Sequence, residues 1–108
     1  MKQRTRKHPA DRKAEILTAA LHEARAVGYR AVTRDAVAVR AGCSPALISA
    51  HFGTMLQFHR AVMSAAIARS DLPVIAQGLA AGDPKAQRAP EAVKRAALEG
   101  LMHAGRPS

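Results

Sequence analysis

The 108-residue chain is long enough for one small domain with a helical extension and too short for two independent cores. Its only rings besides histidine are Tyr29, Phe52 and Phe58, so the core must be built from aliphatic side chains. That scarcity argues against a reader of single strands or RNA, which stacks bases on exposed rings. Seventeen Lys and Arg against eight acids give a net charge of +9, which points to a polyanionic partner.

The charge is concentrated at the beginning of the chain. Residues 1–13 carry Lys2, Arg4, Arg6, Lys7, Arg12 and Lys13 against Asp11, a net +5, whereas residues 14–69 have +3 and the remainder +1. Residues 1–9 lack apolar periodicity and read as a flexible basic arm. Such an arm is either a solvated tail or a segment that releases counterions by lying along phosphates. A single cysteine, Cys43, allows no intramolecular disulfide and no Cys-based metal cluster, and a reducing compartment is consistent with it. No secretory h-region and no membrane-spanning run is present, so a cytoplasmic, nucleoid-associated protein is expected.

Taken in order, Ile16, Leu17, Ala20, Leu21, Ala24 and Val27 form one stripe of an amphipathic helix over about 10–27, stopped by Gly28. Tyr29 follows as a corner residue packed on the core. Thr33 caps a second helix with Val37, Ala38 and Ala41 on its inner face, and Gly42 ends it. Ser44 followed by Pro45 is an N-cap with proline at the first helical position, which starts a third helix after a turn of about three residues. Two short helices so joined are a helix-turn-helix, whose second member can enter a DNA major groove.

Thr54 caps a fourth helix from Met55 to Arg69, with Leu56 or Phe58, then Val62, Met63, Ala66 and Ile67 inward. Asp71 and Pro73 open a short helix to Ala81, residues 84–89 read as a loop, and a last helix is expected over 90–104. The apolar residues Leu79, Val93, Ala97, Leu98, Leu101 and Met102 of these last helices need covering. Pairing with a second copy would do so in a four-helix interface.

These landmarks occur in a familiar order. Ile16-Leu17, Gly28-Tyr29, Thr33, the run Val37-Ala38-Val39-Arg40-Ala41-Gly42-Cys43-Ser44, and His51-Phe52-Gly53 together resemble the N-terminal DNA-binding domain of TetR-type transcriptional repressors. The resemblance covers residues 12–62. It implies an all-α fold with a three-helix DNA-binding domain over 10–54, and helix four with the apolar helices after it reads as a short helical dimerisation segment over 55–108. The resemblance also implies that Ser44, Pro45, Ala46, Ser49 and His51 face DNA bases or backbone, and that Thr33 and Arg34 meet phosphate; the charge of the arm adds Arg4, Arg6 and Lys7 as expected DNA contacts. Family members usually carry Tyr where this chain has Ser49, Lys where it has Met55, and Val where it has Cys43. Losing the phenol and the ammonium weakens backbone affinity, which the basic arm is placed to offset.

TetR-type repressors continue into a long inducer-binding domain, and about forty residues follow helix four here. No inducer cavity is therefore expected from two short helices. Enzymatic chemistry is not expected either. The histidines lack metal-ligand spacing, no carboxylates pair on a shared face, and Ser44 has no glycine-bracketed elbow. Neither metal nor cofactor is implied.

The sequence thus reads as a repressor that binds a palindromic double-stranded operator as a homodimer, with a second regulatory protein left open as a partner. The alternatives are an architectural, packaging or partition DNA-binding protein of a plasmid or phage, and an interaction module for an acidic protein.

Overall fold

The computed structural model describes residues 8–104, with side chains up to residue 100. Seven α-helices follow one another: α1 (Pro9–Val27), α2 (Arg34–Ala41), α3 (Pro45–Phe52), α4 (Met55–Ala68), α5 (Leu72–Ala81), α6 (Pro84–Gln87) and α7 (Glu91–Ala104), with a 3-10 turn over Tyr29–Ala31. The fold is all-α as expected, with no strand among the described residues. None of these helices is long and apolar enough to cross a membrane.

Helix α1 starts at Pro9, whose missing N–H would be an orphan in the first turn anyway, and carries Asp11 near its positive end. Ile16, Ala19, Ala20, Leu21 and Ala24 are buried beneath it. Val27, expected on the same stripe, is instead 51% exposed because the helix ends there and the chain turns away at Gly28.

The next three starts are local capping events. The Ala36 N–H donates to Thr33 Oγ1 at 3.2 Å and the Leu47 N–H to Ser44 Oγ at 3.1 Å. Between them Gly42 takes a left-handed conformation (φ 70°), which lets the Cys43 N–H reach back to Ala38 O. At α4 the cap is reciprocal: the Gln57 N–H donates to Thr54 Oγ1, and the Thr54 N–H donates to Gln57 Oε1. This is a capping box. Phe58, not Leu56, fills the core from the first turn of α4, and Leu56 is 62% exposed.

Two expectations for the second half need correcting. Residues 84–89 are not all loop, because Asp83 Oδ1 accepts from the Lys85 and Ala86 N–H groups and starts the single turn α6. Asp83-Pro84 is the same cap-and-proline pair as Ser44-Pro45, and burial of Ala86 holds the turn in place. Asp71 does stand at the start of α5, but its carboxylate makes no cap there and pairs with Arg25 of α1.

One hydrophobic cluster runs from Ile16 of α1 to Ala97 of α7 through Val37, Ile48, Phe58, Met63 and Ile75. It crosses residue 54 without a break, so α4 packs on both α1 and α5. Gly78 is the point of closest approach. A Cβ there would lie 2.4 Å from Met63 Cε and 3.0 Å from Ala86 Cβ.

Candidate nucleic-acid interface

The short helix α3 is held by one fully buried side chain, Ile48, while Leu47 is half-buried. Its other side is open: Ser44, Pro45, Ala46 and Ala50 are exposed, and Ser49 is half-buried at the edge of that face. Small side chains at the start of the helix let its backbone approach a groove closely, and the Ser44 hydroxyl accepts a helix N–H while keeping its own hydrogen to donate.

Arg34 ties this helix to the start of α2. Its Nη1 donates to Ser49 Oγ at 2.9 Å and lies 3.5 Å from Gly53 O in the turn before α4. The guanidinium therefore links the first residue of α2 to the middle of α3 and to the α3–α4 turn. Helix N-termini and a fixed cation make a site suited to phosphate. Thr33 is exposed beside it, with its hydroxyl oxygen engaged by the Ala36 N–H and its hydrogen available.

Gly53 allows the compact α3–α4 turn. At φ 81° and ψ −134° it occupies a region open to glycine, and an added Cβ would sit 2.1 Å from Gln57 Oε1. His51 at the end of α3 is half-buried, with the Phe52 ring 6.3 Å away, and makes no hydrogen bond among the described residues. Cys43 is half-buried in the α2–α3 turn against the core.

In the sequence Lys13 is one of several basic residues at the beginning of the chain. It lies 5.9 Å from the centre of the Phe52 ring and so brings a cation from α1 to the end of α3. Nothing in its spacing distinguishes it from Arg12, which pairs with Glu15 on its own helix. The Thr54–Gln57 box carried a visible signal, Thr-x-x-Gln before an apolar run, that only its first half revealed.

The reading head is braced from behind by Tyr29. Its hydroxyl donates to Asp83 Oδ2 at 2.7 Å, with His59 O at 3.1 Å, while its backbone N–H donates to Gln77 Oε1 at 2.7 Å. Burial first, then the hydrogen bond and charge of Asp83, hold the phenol protonated well above the usual tyrosine range. His59 Nε2 contacts Val32 O at 3.1 Å, one residue before the Thr33 cap. The corner residue expected at 29 is thus a junction of the 3-10 turn with α4, α5 and the start of α6.

Of the other expected site residues, Arg4, Arg6 and Lys7 lie outside the described residues, as do the side chains of Leu101 and Met102. Ala97 is buried and Val93 half-buried against the chain's own α5, Leu79 is half-buried, and Leu98 is 46% exposed. No group of three His, Cys, Asp or Glu side chains that could hold a metal occurs among the described residues.

The helix-turn-helix geometry agrees with an independent comparison. The family model described as bacterial regulatory proteins, tetR family, matches residues 16–62. Neither the curated proteins nor the solved structures searched returned a match. Residues 16–62, from the inner face of α1 to the middle of α4, are thus similar to the helix-turn-helix domain of bacterial regulatory proteins of the tetR family.

Proposed function

We propose that the chain is a sequence-specific transcriptional repressor that occupies a palindromic double-stranded operator as a homodimer. The observation that carries this reading is the Arg34 clamp, which fixes α3 against the starts of α2 and α4 while leaving Pro45, Ala46 and Ala50 open. In this reading Ser44, Pro45, Ala46, Ser49 and His51 meet the floor and edge of the major groove, where each base pair presents a distinct pattern of donors and acceptors. Thr33 and Arg34 hold phosphates, Arg34 exchanging the neutral Ser49 hydroxyl for a charged oxygen. Arg4, Arg6 and Lys7 add sequence-independent affinity that salt weakens.

Two copies are needed to read an inverted repeat, and α5 and α7 supply a surface for pairing. Leu98 is exposed beside a shallow depression also lined by Ala76, Leu79 and Ala80. Val93 and Ala97 keep α7 seated on α5, so that Leu79 and Leu98 face the second copy. We take this arrangement to act on the nucleoid, controlled by concentration, dimerisation or a second protein.

The test is selection of bound duplexes from random genomic fragments, with the mass of the free protein measured by light scattering. Enrichment of an inverted repeat by a protein of twice the chain mass is expected. Uniform binding across sequences would refute the repressor reading in favour of an architectural role.

A further inference from the structure

Twelve Lys and Arg side chains fall among the described residues, and seven of them have partners. Arg12, Arg25, Arg40 and Lys94 pair with carboxylates, Arg34 and Arg69 donate to Ser49 and Thr18, and Lys13 stands over Phe52. The remaining five, Arg30, Arg60, Lys85, Arg88 and Arg95, make no hydrogen bond or ion pair. Four of those five line a single groove. It has a volume of about 680 Å³ and lies between the 3-10 turn and α4 on one side and the α5–α6 turn on the other.

The one carboxylate in that groove cannot neutralise them by contact, because Asp83 is already engaged. Its Oδ1 accepts two N–H groups of α6 and its Oδ2 accepts the Tyr29 hydroxyl. Four cations against one committed carboxylate leave the walls at +3. Concave walls concentrate such a field, and guanidinium groups present paired donors that match carboxylate and phosphate oxygens. The volume is within the range of small-molecule sites.

We propose that this groove binds a compact polyanion carrying two or more phosphate or carboxylate groups, held by Arg30, Arg60, Lys85 and Arg88. Such a site is an open cationic cleft whose lining shares no residue with Thr33, Arg34, Ser44, Pro45, Ala46, Ser49 and His51. It does not depend on the repressor reading.

Calorimetric titration of the full chain at about 150 mM salt, where long-range surface attraction is screened, tests this with inorganic pyrophosphate and citrate as probes. Saturable binding of at least one probe, one per chain, is expected. The Arg60→Gln/Arg88→Gln variant should bind at least about tenfold more weakly. Arg30→Gln/Lys85→Gln should behave alike, giving a second reading should the first pair fail to fold. Arg12→Gln/Arg95→Gln removes the same charge outside the groove and should remain within about twofold of the parent. Absence of saturable binding, unchanged binding in both groove variants, or equal loss in all three pairs would overturn the proposal. So would a fall of about two in the salt slope of duplex binding in Arg60→Gln/Arg88→Gln, since these cations would then be contacting DNA phosphates.

Discussion

Replacing Ile48 by Ala removes three carbons from the one side chain that anchors α3, and no part of that side chain touches solvent. Transfer alone accounts for about 2–2.5 kcal/mol at roughly 0.8 kcal/mol per buried methylene. The unfilled space raises the cost to about 3–4 kcal/mol, since α3 is tied on one side by the Arg34 clamp and on the other by the α3–α4 turn and cannot collapse freely. At about 4–8 °C per kcal/mol for a domain of this size, the melting temperature should fall by more than about 10 °C. Thermal unfolding followed by circular dichroism at the helical band, with Val39→Ala as the control, measures this. Val39 is 83% exposed, and its replacement should stay within about 0.5 kcal/mol of the parent. A loss below about 1 kcal/mol for Ile48→Ala, or equal losses for the two variants, would refute the assignment of Ile48 as the anchor.

Arg34→Gln should leave stability within about 1 kcal/mol, as its hydrogen bonds are partly exposed, but should weaken duplex binding for all sequences and lower the salt slope by about one in anisotropy titrations. Gly53→Ala should cost at least about 1–3 kcal/mol in denaturant unfolding, because the positive φ and the clash with Gln57 Oε1 break the turn and the capping box together. Tyr29→Phe should cost about 1–2 kcal/mol near neutral pH by leaving Asp83 Oδ2 without its donor. The raised phenol pKa means that its stabilisation is complete below the ordinary value of 10.0 and declines as pH rises above it. The alkaline fall in melting temperature should therefore be shallower in Tyr29→Phe than in the parent. Deleting residues 1–8 should reduce affinity for all duplexes alike and flatten the salt slope, and an unchanged slope would remove the arm from the account.

The elements that could be read from sequence were those fixed by neighbours a few residues apart. Thr33, Gly42 and Ser44-Pro45 mark helix ends because each acts on backbone groups within its own turn. Asp83-Pro84 obeys the same local rule, but Gly82 and Pro90 on either side are residues that ordinarily bound a loop. What stayed hidden depends on distant parts of the chain. The Asp71 carboxylate has a conventional capping position, yet Arg25, 46 residues away, takes it. Leu56 and Phe58 were equivalent on helical periodicity, and only the packing of Phe58 against Phe52, with ring centres 5.2 Å apart, decides between them.

The candidate interface divides in the same way. The exposure of Pro45 and Ala46 follows from their place at the start of an amphipathic turn, whereas the union of Arg34 with Ser49 needs α2 and α3 to pack first. The cationic groove is the extreme case. Arg30, Arg60, Lys85 and Arg88 are spread over nearly sixty positions, and the sequence shows only an excess of charge without saying which cations are left unpartnered.

In the proposed complex α3 of each of two copies occupies a major groove. Protection of guanine N7 from methylation, mapped on the enriched duplex, reads that groove directly. Two protected segments are expected on one face of the DNA, about 10 base pairs or 34 Å apart. A single protected segment, uniform partial protection, or full N7 reactivity under a saturating amount of protein would contradict it.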